Sequence, residues 1–455
     1  MFLIAAENDL NVSRRRRPMQ KFLRAIKWRP PIALSTAMIL ICTATSFAQA
    51  PAQTAPQTAA VRVTLDQAID LAIQHNHSLE AARTTILQNQ AQEITANLRP
   101  NPVLLGDAQF LPVFTPSNFT GDYFDNGAQF DLGVGYLFER GKKRQHRLQA
   151  AKDATAVTTA TVADDERTLT FNVASQFIAA LLAQADLDSA QKDLDSFQQT
   201  VDISQASFAA GAMSEGDLIK IKLQLLQFQM DVSAARLARV QALASLRQLL
   251  GYESVPENYE VVGDLEYKPV KVGEDDLKAL ALRQRPDLRA AQLGVTAAES
   301  QLALARANGK VDVNAQINYT HVADLSTASL FGSVQLPFFN RNQGEIARTQ
   351  YAVTQSQDLS SEQASIALTD VANSYEGLRT ADEVVQLYES GYLKQAQDSR
   401  DISQYAYQRG AATLLDFLDA ERSYRATELA YRQSLATYML SLEQLRQAVG
   451  TRSLP

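Results

Sequence analysis

The sequence is short of the residues from which most enzyme and metal sites are built. In 455 residues it has one cysteine, one tryptophan and four histidines. The cysteine, Cys42, has no second thiol to pair with, so no disulfide forms within the chain and no thiolate cluster can hold a metal. His75 and His77 are two residues apart, a poor chelating spacing on a helix, where i, i+4 is favoured. His146 and His321 stand alone. No glycine-rich phosphate loop, G-x-S-x-G elbow or H-E-x-x-H motif occurs. The chain therefore reads as a non-enzyme with no cofactor and no bound metal. Beyond the N-terminus no segment has 18 consecutive apolar residues, which excludes a transmembrane helix there. It does not exclude a transmembrane barrel, whose strands give only weak, alternating signals.

Glycine and proline are also missing over long stretches. Neither occurs from Lys142 to Ala210, nor within 217–250 or 411–449. An unbroken helix over the first stretch would be on the order of 100 Å long at 1.5 Å per residue. The matching stretch of the second half, Glu345 to Arg409, lacks proline but carries Gly377 and Gly391 as weak points. These runs predict antiparallel helical hairpins packed like coiled coils.

What is present at the N-terminus is a secretory signal. Arg14 to Arg17, Lys21, Arg24, Lys27 and Arg29 precede an apolar Ile32–Cys42, and Ser46-Phe47-Ala48 fits a small-x-small cleavage site. Residues 1–48 are assigned to it, with Met19 as an alternative start and an uncleaved anchor as the rival reading. No small residue precedes Cys42, which argues against lipidation. Loss of 1–48 removes eight basic and two acidic side chains, so the formal charge of −7 becomes −13. Nucleic acid is a poor partner for such a chain. Residues 49–60 read as a disordered leader.

The rest is written twice. Leu246-Arg247-Gln248-Leu249-Leu250-Gly251 is answered by Leu445-Arg446-Gln447-Ala448-Val449-Gly450. At the same offset, Ala210-Gly211-Ala212 with Asp217 is answered by Arg409-Gly410-Ala411 with Asp416. A unit of about 200 residues is too long for a solenoid repeat. The halves span 61–251 and 276–450, joined at 252–275 by a segment that reads as a linker or as a small equatorial belt packed beside the helices, and followed by a tail at 451–455. Thr64 is placed to cap a first helix through Leu65, Ala68, Ile69 and Ala72, and a second runs from about Ser78 to Leu98, before Pro100.

Each half holds two short strands, at about 103–113 and 128–138, then 310–321 and 328–337. In one, Phe130, Leu132, Val134, Tyr136 and Phe138 alternate with Gln129, Asp131, Gly133 and Gly135. In another, Val311 to Tyr319 alternates with Asp312, Asn314, Gln316, Asn318 and Thr320. Strands of about 10 residues suit a tilted bilayer crossing. Four cannot close a barrel, and free edges are a liability. Three copies would supply twelve strands. The fold class is thus mainly α with a small β part: an α-barrel of long hairpins above a trimeric, 12-stranded transmembrane β-barrel.

These features resemble the TolC family of outer-membrane efflux channels. The resemblance is carried by the duplicated layout, by Arg285-Pro286-Asp287-Leu288, and by Tyr407-Gln408-Arg409-Gly410 through Leu414-Leu415-Asp416-Phe417-Leu418-Asp419-Ala420. Phe138-Glu139-Arg140-Gly141-Lys142-Lys143-Arg144 and Leu336-Pro337-Phe338-Phe339-Asn340-Arg341-Asn342-Gln343-Gly344 resemble the heavy-metal (CzcC-type) branch. The resemblance implies a homotrimer in outer-membrane lipid, a periplasmic adaptor and an inner-membrane RND-type pump as partners, and passive export of heavy-metal cations. A multidrug or organic-solute duct and a non-conducting periplasmic scaffold are the alternatives.

It also implies roles for single residues. Asp416 and Asp419, at i and i+3 on one helix face, match positions that line the narrow periplasmic end of the pore. Three copies would place six carboxylates there, an arrangement that favours cations. Asp217 and Tyr407 match positions that hold the entrance closed. The family's arginine two residues after the turn glycine is Ala412 here, which leaves Arg409 as the substitute. Gly211, Ala212, Gly410 and Ala411 are the expected adaptor-docking tips. A turn cap for Asp217, core packing for Tyr407 and plain surface acids for Asp416 and Asp419 are the simpler readings. The basic cluster Arg140, Lys142, Lys143, Arg144 and Arg147 reads either as a solvated helix start or as a rim near lipid headgroups.

Overall fold

A computed structural model of the protein describes residues 61–454. The signal, leader and lipidation readings for residues 1–60 lie outside the described residues, as does Pro455. The described chain opens with β1 (Arg62–Val63) and α1 (Leu65–His75). Thr64 caps α1 through a capping box with Gln67, each side chain bonding the other's backbone N–H. Asn76 then interrupts the helix: its Oδ1 accepts the Leu79 N–H at 3.1 Å and its Nδ2 donates to the Leu249 carbonyl at 2.9 Å. The helix α2 (His77–Ala96) follows and stops short of Pro100.

The strands β2 (Val103–Gln109) and β3 (Gln129–Phe138) flank a loop holding a 3-10 turn and the short α3 (Gly121–Asn126). The sequence places the end of β2 near 113. It ends earlier because Phe110 takes a positive φ of 58° and turns the chain out of the sheet. Next come α4 (Lys143–Ala209), which runs 67 residues without a break, and its antiparallel partner α5 (Glu215–Leu250).

The 252–275 segment is not a free linker. Its strand β4 (Glu260–Val261) pairs in parallel with β1, and Tyr259 donates to the Leu243 carbonyl at 2.6 Å. Tyr267 donates to Asp382, and Lys268 accepts from Tyr438 at 2.7 Å, so the same segment also packs on the second half. The second half then adds α6 (Glu274–Gln284), α7 (Pro286–Asn308), β5 (Val313–Val322), β6 (Leu325–Val334), α8 (Gln343–Leu387), α9 (Leu393–Gln408) and α10 (Leu414–Val449). Of the two glycines in the 345–409 run, only Gly391 breaks the helix. It sits at φ 127° in a π turn, Tyr388–Tyr392, between α8 and α9; Gly377 stays inside α8.

The four long strands form one antiparallel sheet in the order β2-β3-β5-β6. The halves are joined there by β3 and β5, in register from Gln129↔Val322 to Phe138↔Val313. This register puts Leu104, Leu132, Tyr319 and Ala328, and likewise Val134, Ile317 and Leu330, on one face. Asp107, Asp131, Thr320 and Thr327 share the other, with Asn314, Gln316 and Asn318. The polar face is the less exposed one, with Gly133 and Gly135 buried: Asn318 lies over Gly133 so closely that a Cβ there would meet its amide. The apolar face is bare, with Leu132, Val134, Ile317 and Leu330 all more than half exposed. A sheet that is apolar outside and polar inside is the inverse of a water-soluble one and matches a membrane barrel wall.

Three apolar clusters hold the helices. One joins α1, α2, α4 and α5 around Val173, Phe177, Ala180, Leu181, Leu246 and Leu250. A window of α4 is apolar enough to cross a membrane by composition, and about a third of it is buried; Val173, Phe177, Ala180 and Leu181 of α4 belong to that cluster. The second joins α6, α8 and α10 around Val371, Val385, Tyr438 and Leu445. The third lies near the hairpin ends, where Phe197 stacks on Phe228 at 4.6 Å and Tyr407 on Phe417 at 5.5 Å.

Candidate functional site

The ends of the two hairpins carry the expected site residues, and the two ends are built alike. At the first, Gly211 (φ 73°) follows α4 and the Ala212 N–H reaches back to the Ser207 carbonyl at 2.9 Å. At the second, Gly410 (φ 70°) follows α9 and the Ala411 N–H reaches the Ala406 carbonyl at 2.9 Å. Both are Schellman turns, which need a positive φ at the residue after the cap. Gly211, Ala212, Gly410 and Ala411 are exposed.

Each turn is followed at once by a capped helix start. Ser214 Oγ accepts the Asp217 N–H at 3.1 Å and donates to its carboxylate at 2.8 Å. Thr413 Oγ1 accepts the Asp416 N–H at 3.2 Å and donates to its carboxylate at 2.6 Å. Thr413 closes the box by donating its own N–H to Asp416 Oδ2 at 3.0 Å. The two aspartates therefore occupy the same third position of their helices, where negative charge also meets the positive end of the helix dipole. Hydrogen bonds from Thr413 hold the Asp416 carboxyl below the usual carboxylate range. The Ser214 hydroxyl and the Lys220 ammonium do the same for Asp217.

Asp419 is different. Its side chain is 77% exposed and its nearest cation, Arg422, stands at 3.8 Å. Of the two acids on this face, one is engaged in its own helix cap and the other is exposed, with an arginine one turn away as its partner.

Tyr407 lies in the core near both ends, and burial followed by the nearby Asp217 charge pushes its hydroxyl up. Tyr407 and Asp217 are thus brought into one neighbourhood. Arg409 is not brought to Asp217: its guanidinium lies over the Tyr405 ring at 5.3 Å, while Asp217 binds Lys220 at 3.2 Å.

Sequence reasoning missed an ion network just inside these ends. Arg425 binds Asp193 of α4 at 3.1 Å and Asp231 of α5 at 2.7 Å. Arg432 binds Asp186 of α4 at 2.9 Å and Glu428 at 2.8 Å. Arg425 and Arg432 are seven apart, as are Asp186 and Asp193, and antiparallel packing pairs them in reverse order. That matched spacing was the available signal. The groups wall a cleft of about 690 Å³ between α4, α5 and α10. Burial pushes the Asp193 carboxyl up and Arg425 opposes this. Burial likewise pushes Glu421 up, with Arg400 opposing and Asp193 adding to it.

Among the described residues no group of three His, Cys, Asp or Glu side chains is placed to hold a metal ion. His77 instead lies between Glu80 and Glu253, at 3.5 and 3.3 Å.

A family model described as "Outer membrane efflux protein" matches residues 68–252 and 277–451. The chain is 23% identical over 381 residues to the cobalt-zinc-cadmium resistance protein CzcC of Cupriavidus metallidurans, covering 83% of this chain and 87% of that one. It is also 23% identical over 410 residues to the pyoverdine export outer membrane protein OpmQ of Pseudomonas putida, covering 85% of each. Among solved structures, the CmeC outer membrane channel of Campylobacter jejuni superposes with a TM-score of 0.71 at 16% identity, covering 85% of each chain.

Proposed function

The chain belongs to the outer membrane efflux protein family, and from that premise we propose that three copies form the export duct of a tripartite pump. The protein is an outer-membrane efflux channel with a periplasmic extension. The finer assembly is our reading, as is the two-fold internal repeat, which the two separate family matches support.

One observation carries the trimer. The sheet has two unpaired edges, β2 and β6, and an apolar outer face. A bilayer leaves no water to satisfy edge N–H and C=O groups, so the sheet must close. Three copies supply twelve strands, an even number within the range of such barrels. The helical layer has edges too. The helix α5 packs on α4, α4 on α10, and α10 on α8 and α9. The outer flank of α5 bears exposed Ile219, Leu223, Leu226, Met230, Leu237 and Val240, spaced by fours, threes and sevens. The α8–α9 edge bears exposed Val384, Leu387, Ile402 and Tyr405. Such a spacing is a coiled-coil seam awaiting a partner helix, and a neighbouring copy supplies one.

In that assembly the paired tips at Gly211–Ala212 and Gly410–Ala411 point away from the membrane and offer the docking surface for a periplasmic adaptor, with an RND-type pump beyond it. Asp419 is the first choice for the cation-attracting ring, with Asp416 beside it. Asp217, Tyr407 and Arg409 form the entrance gate, in which Arg409 is free to pair with an acid of a neighbouring copy. Heavy-metal cations are the proposed cargo, because three copies of the exposed Asp419 carboxylate would favour cations and CzcC is a relative. The equal identity to OpmQ supports an organic solute as the second reading.

Purified protein in a planar bilayer tests the reading. Discrete, cation-selective openings from a heat-modifiable trimer are expected. A soluble monomer that forms no pores would overturn it in favour of the scaffold.

A further inference from the structure

The rim where strands pass into helices carries a set of cations that the duct does not use. Gly141, at φ 71°, sits so close to Lys310 that a Cβ there would come within 2.6 Å of that side chain. A Cβ on Gly309 would come within 2.6 Å of the Arg341 carbonyl oxygen. Three separate chain segments, 140–142, 309–310 and 341, are therefore packed onto one rim, and they bring Arg140, Lys142, Lys310 and Arg341 together. All four are exposed. Their neighbours are not available in this way: Lys143 is bound by Asp312 at 2.7 Å, and Arg147 by Glu139 at 2.8 Å. Arg147 also donates to the Ala96 carbonyl at the end of α2, at 2.9 Å. Of the basic cluster, Lys143 and Arg147 are thus structural, while the side chains of Arg140 and Lys142, like those of Lys310 and Arg341, form no salt bridge among the described residues, Asp312 meeting Arg140 through its backbone N–H at 2.9 Å.

Beside these cations the chain displays aromatic rings. Leu336, Phe338 and Phe339 follow β6 and are 68%, 70% and 94% exposed. The loop that carries them is held, not slack: Arg341 Nε donates to the Pro337 carbonyl at 3.1 Å and Gln343 Nε2 to the Phe339 carbonyl at 3.1 Å. Rings fixed outward at the end of the bare apolar face of the sheet sit where a bilayer's headgroup level would meet them. Cations directly beyond them face the phosphate layer.

We propose that this rim is a binding collar for anionic phospholipid headgroups of the periplasmic leaflet, with Phe338 and Phe339 inserted at headgroup depth and Arg140, Lys142, Lys310 and Arg341 on the phosphates. The proposal rests on the reading that the β2–β6 sheet crosses the outer membrane. Charge complementarity selects an anionic lipid over a zwitterionic one, and continuity with the apolar face selects a lipid over a soluble anion.

The sequence's only tryptophan, Trp28, lies outside the described residues, so Phe339→Trp gives a reporter to be read against the unsubstituted protein. The full-length assembled protein is reconstituted in vesicles of brominated phosphatidylglycerol or brominated phosphatidylcholine diluted in unbrominated lipid. The collar predicts quenching by both, with phosphatidylglycerol favoured about fivefold at low salt and less at high salt. R140Q/K142Q/K310Q/R341Q should bring that ratio to one while quenching persists, and K143Q, which breaks a structural pair instead, should leave it unchanged. Equal quenching by the two lipids in the parent, or a ratio unmoved by the fourfold variant, overturns the collar and leaves the membrane reading standing. No quenching by either lipid overturns both and makes an acidic protein surface the occupant of the rim.

Discussion

Asp416 closes back on Thr413, with its Oδ2 3.0 Å from the Thr413 backbone nitrogen and 2.6 Å from the hydroxyl oxygen. Its neighbour Asp419 has no such engagement. The two acids of one motif are thereby separable. Asp416→Ala removes a cap and is expected to cost about 1 kcal/mol of stability, as well as any pore charge. Asp419→Asn should lower cation preference and divalent block with no shift in Tm. Single-channel reversal potentials and thermal melts on the two variants check this; unchanged selectivity in both would remove the carboxylate ring.

Arg425 holds two carboxylates that are each mostly buried, Asp193 and Asp231. Arg425→Ala would leave both without their cation and is expected to destabilise the fold by about 2–3 kcal/mol, below the value for a fully buried pair because about a fifth of Arg425 and Asp193 and about a third of Asp231 still meet water. Arg425→Met with Asp193→Asn should cost less than the sum of the single changes. Thermal unfolding followed by circular dichroism provides the measurement.

Glu421 gives a pH signature of the opposite sense to a salt-bridged acid. Burial raises its folded pKa above the unfolded value, so the folded state favours the protonated acid. Its contribution is fully present below the ordinary carboxylate range and is lost as pH rises through the raised folded value. Glu421→Gln should therefore raise Tm at neutral pH and have little effect near pH 4. Melts across that range decide it, and a gain at low pH only would contradict the assignment.

Gly211 and Gly410 hold φ near +70° with open space around the missing side chain. Gly→Ala at either position should cost about 1 kcal/mol from backbone strain alone and leave assembly intact. No cysteine occurs in residues 61–454, so A212C and A411C place single thiols on the tips. A thiol-directed crosslinker on either should capture an adaptor in cells; consistent failure at both sites would move the docking surface elsewhere.

Much of this fold is legible in the sequence because its signals are local. The absence of glycine and proline marks α4, α5 and α10, and alternation marks β3 and β5. What escapes is non-local. The joining of the halves through β3 and β5 pairs residues nearly 190 apart, such as Asp131 and Thr320, and no local pattern records that. Gly377 and Gly391 carry the same intrinsic helix penalty, so the sequence cannot choose between them; the π turn and its packing against α10, where Tyr388 meets Tyr431 at 5.9 Å, make the choice. Thr413-x-x-Asp416 is a readable capping pattern, yet its acid was read only as a pore or surface group. The cap at Asp217 was legible as one of two readings. The Arg425 network left its trace in seven-residue spacings, but pairing them requires knowing that α4 and α10 run in opposite directions.

Each long strand of the described chain is joined to a helix by a short segment: α2 to β2, β3 to α4, α7 to β5, and β6 to α8. Near these crossings Arg147 ties the start of α4 to the end of α2, Lys143 ties it to Asp312 just before β5, and Asn342 ties the start of α8 to the end of α7. In a closed ring of three copies the staves are therefore continuous across the membrane surface. A solute admitted at the far end has a single exit, and a twist imposed on the helices is delivered to the mouth as torque.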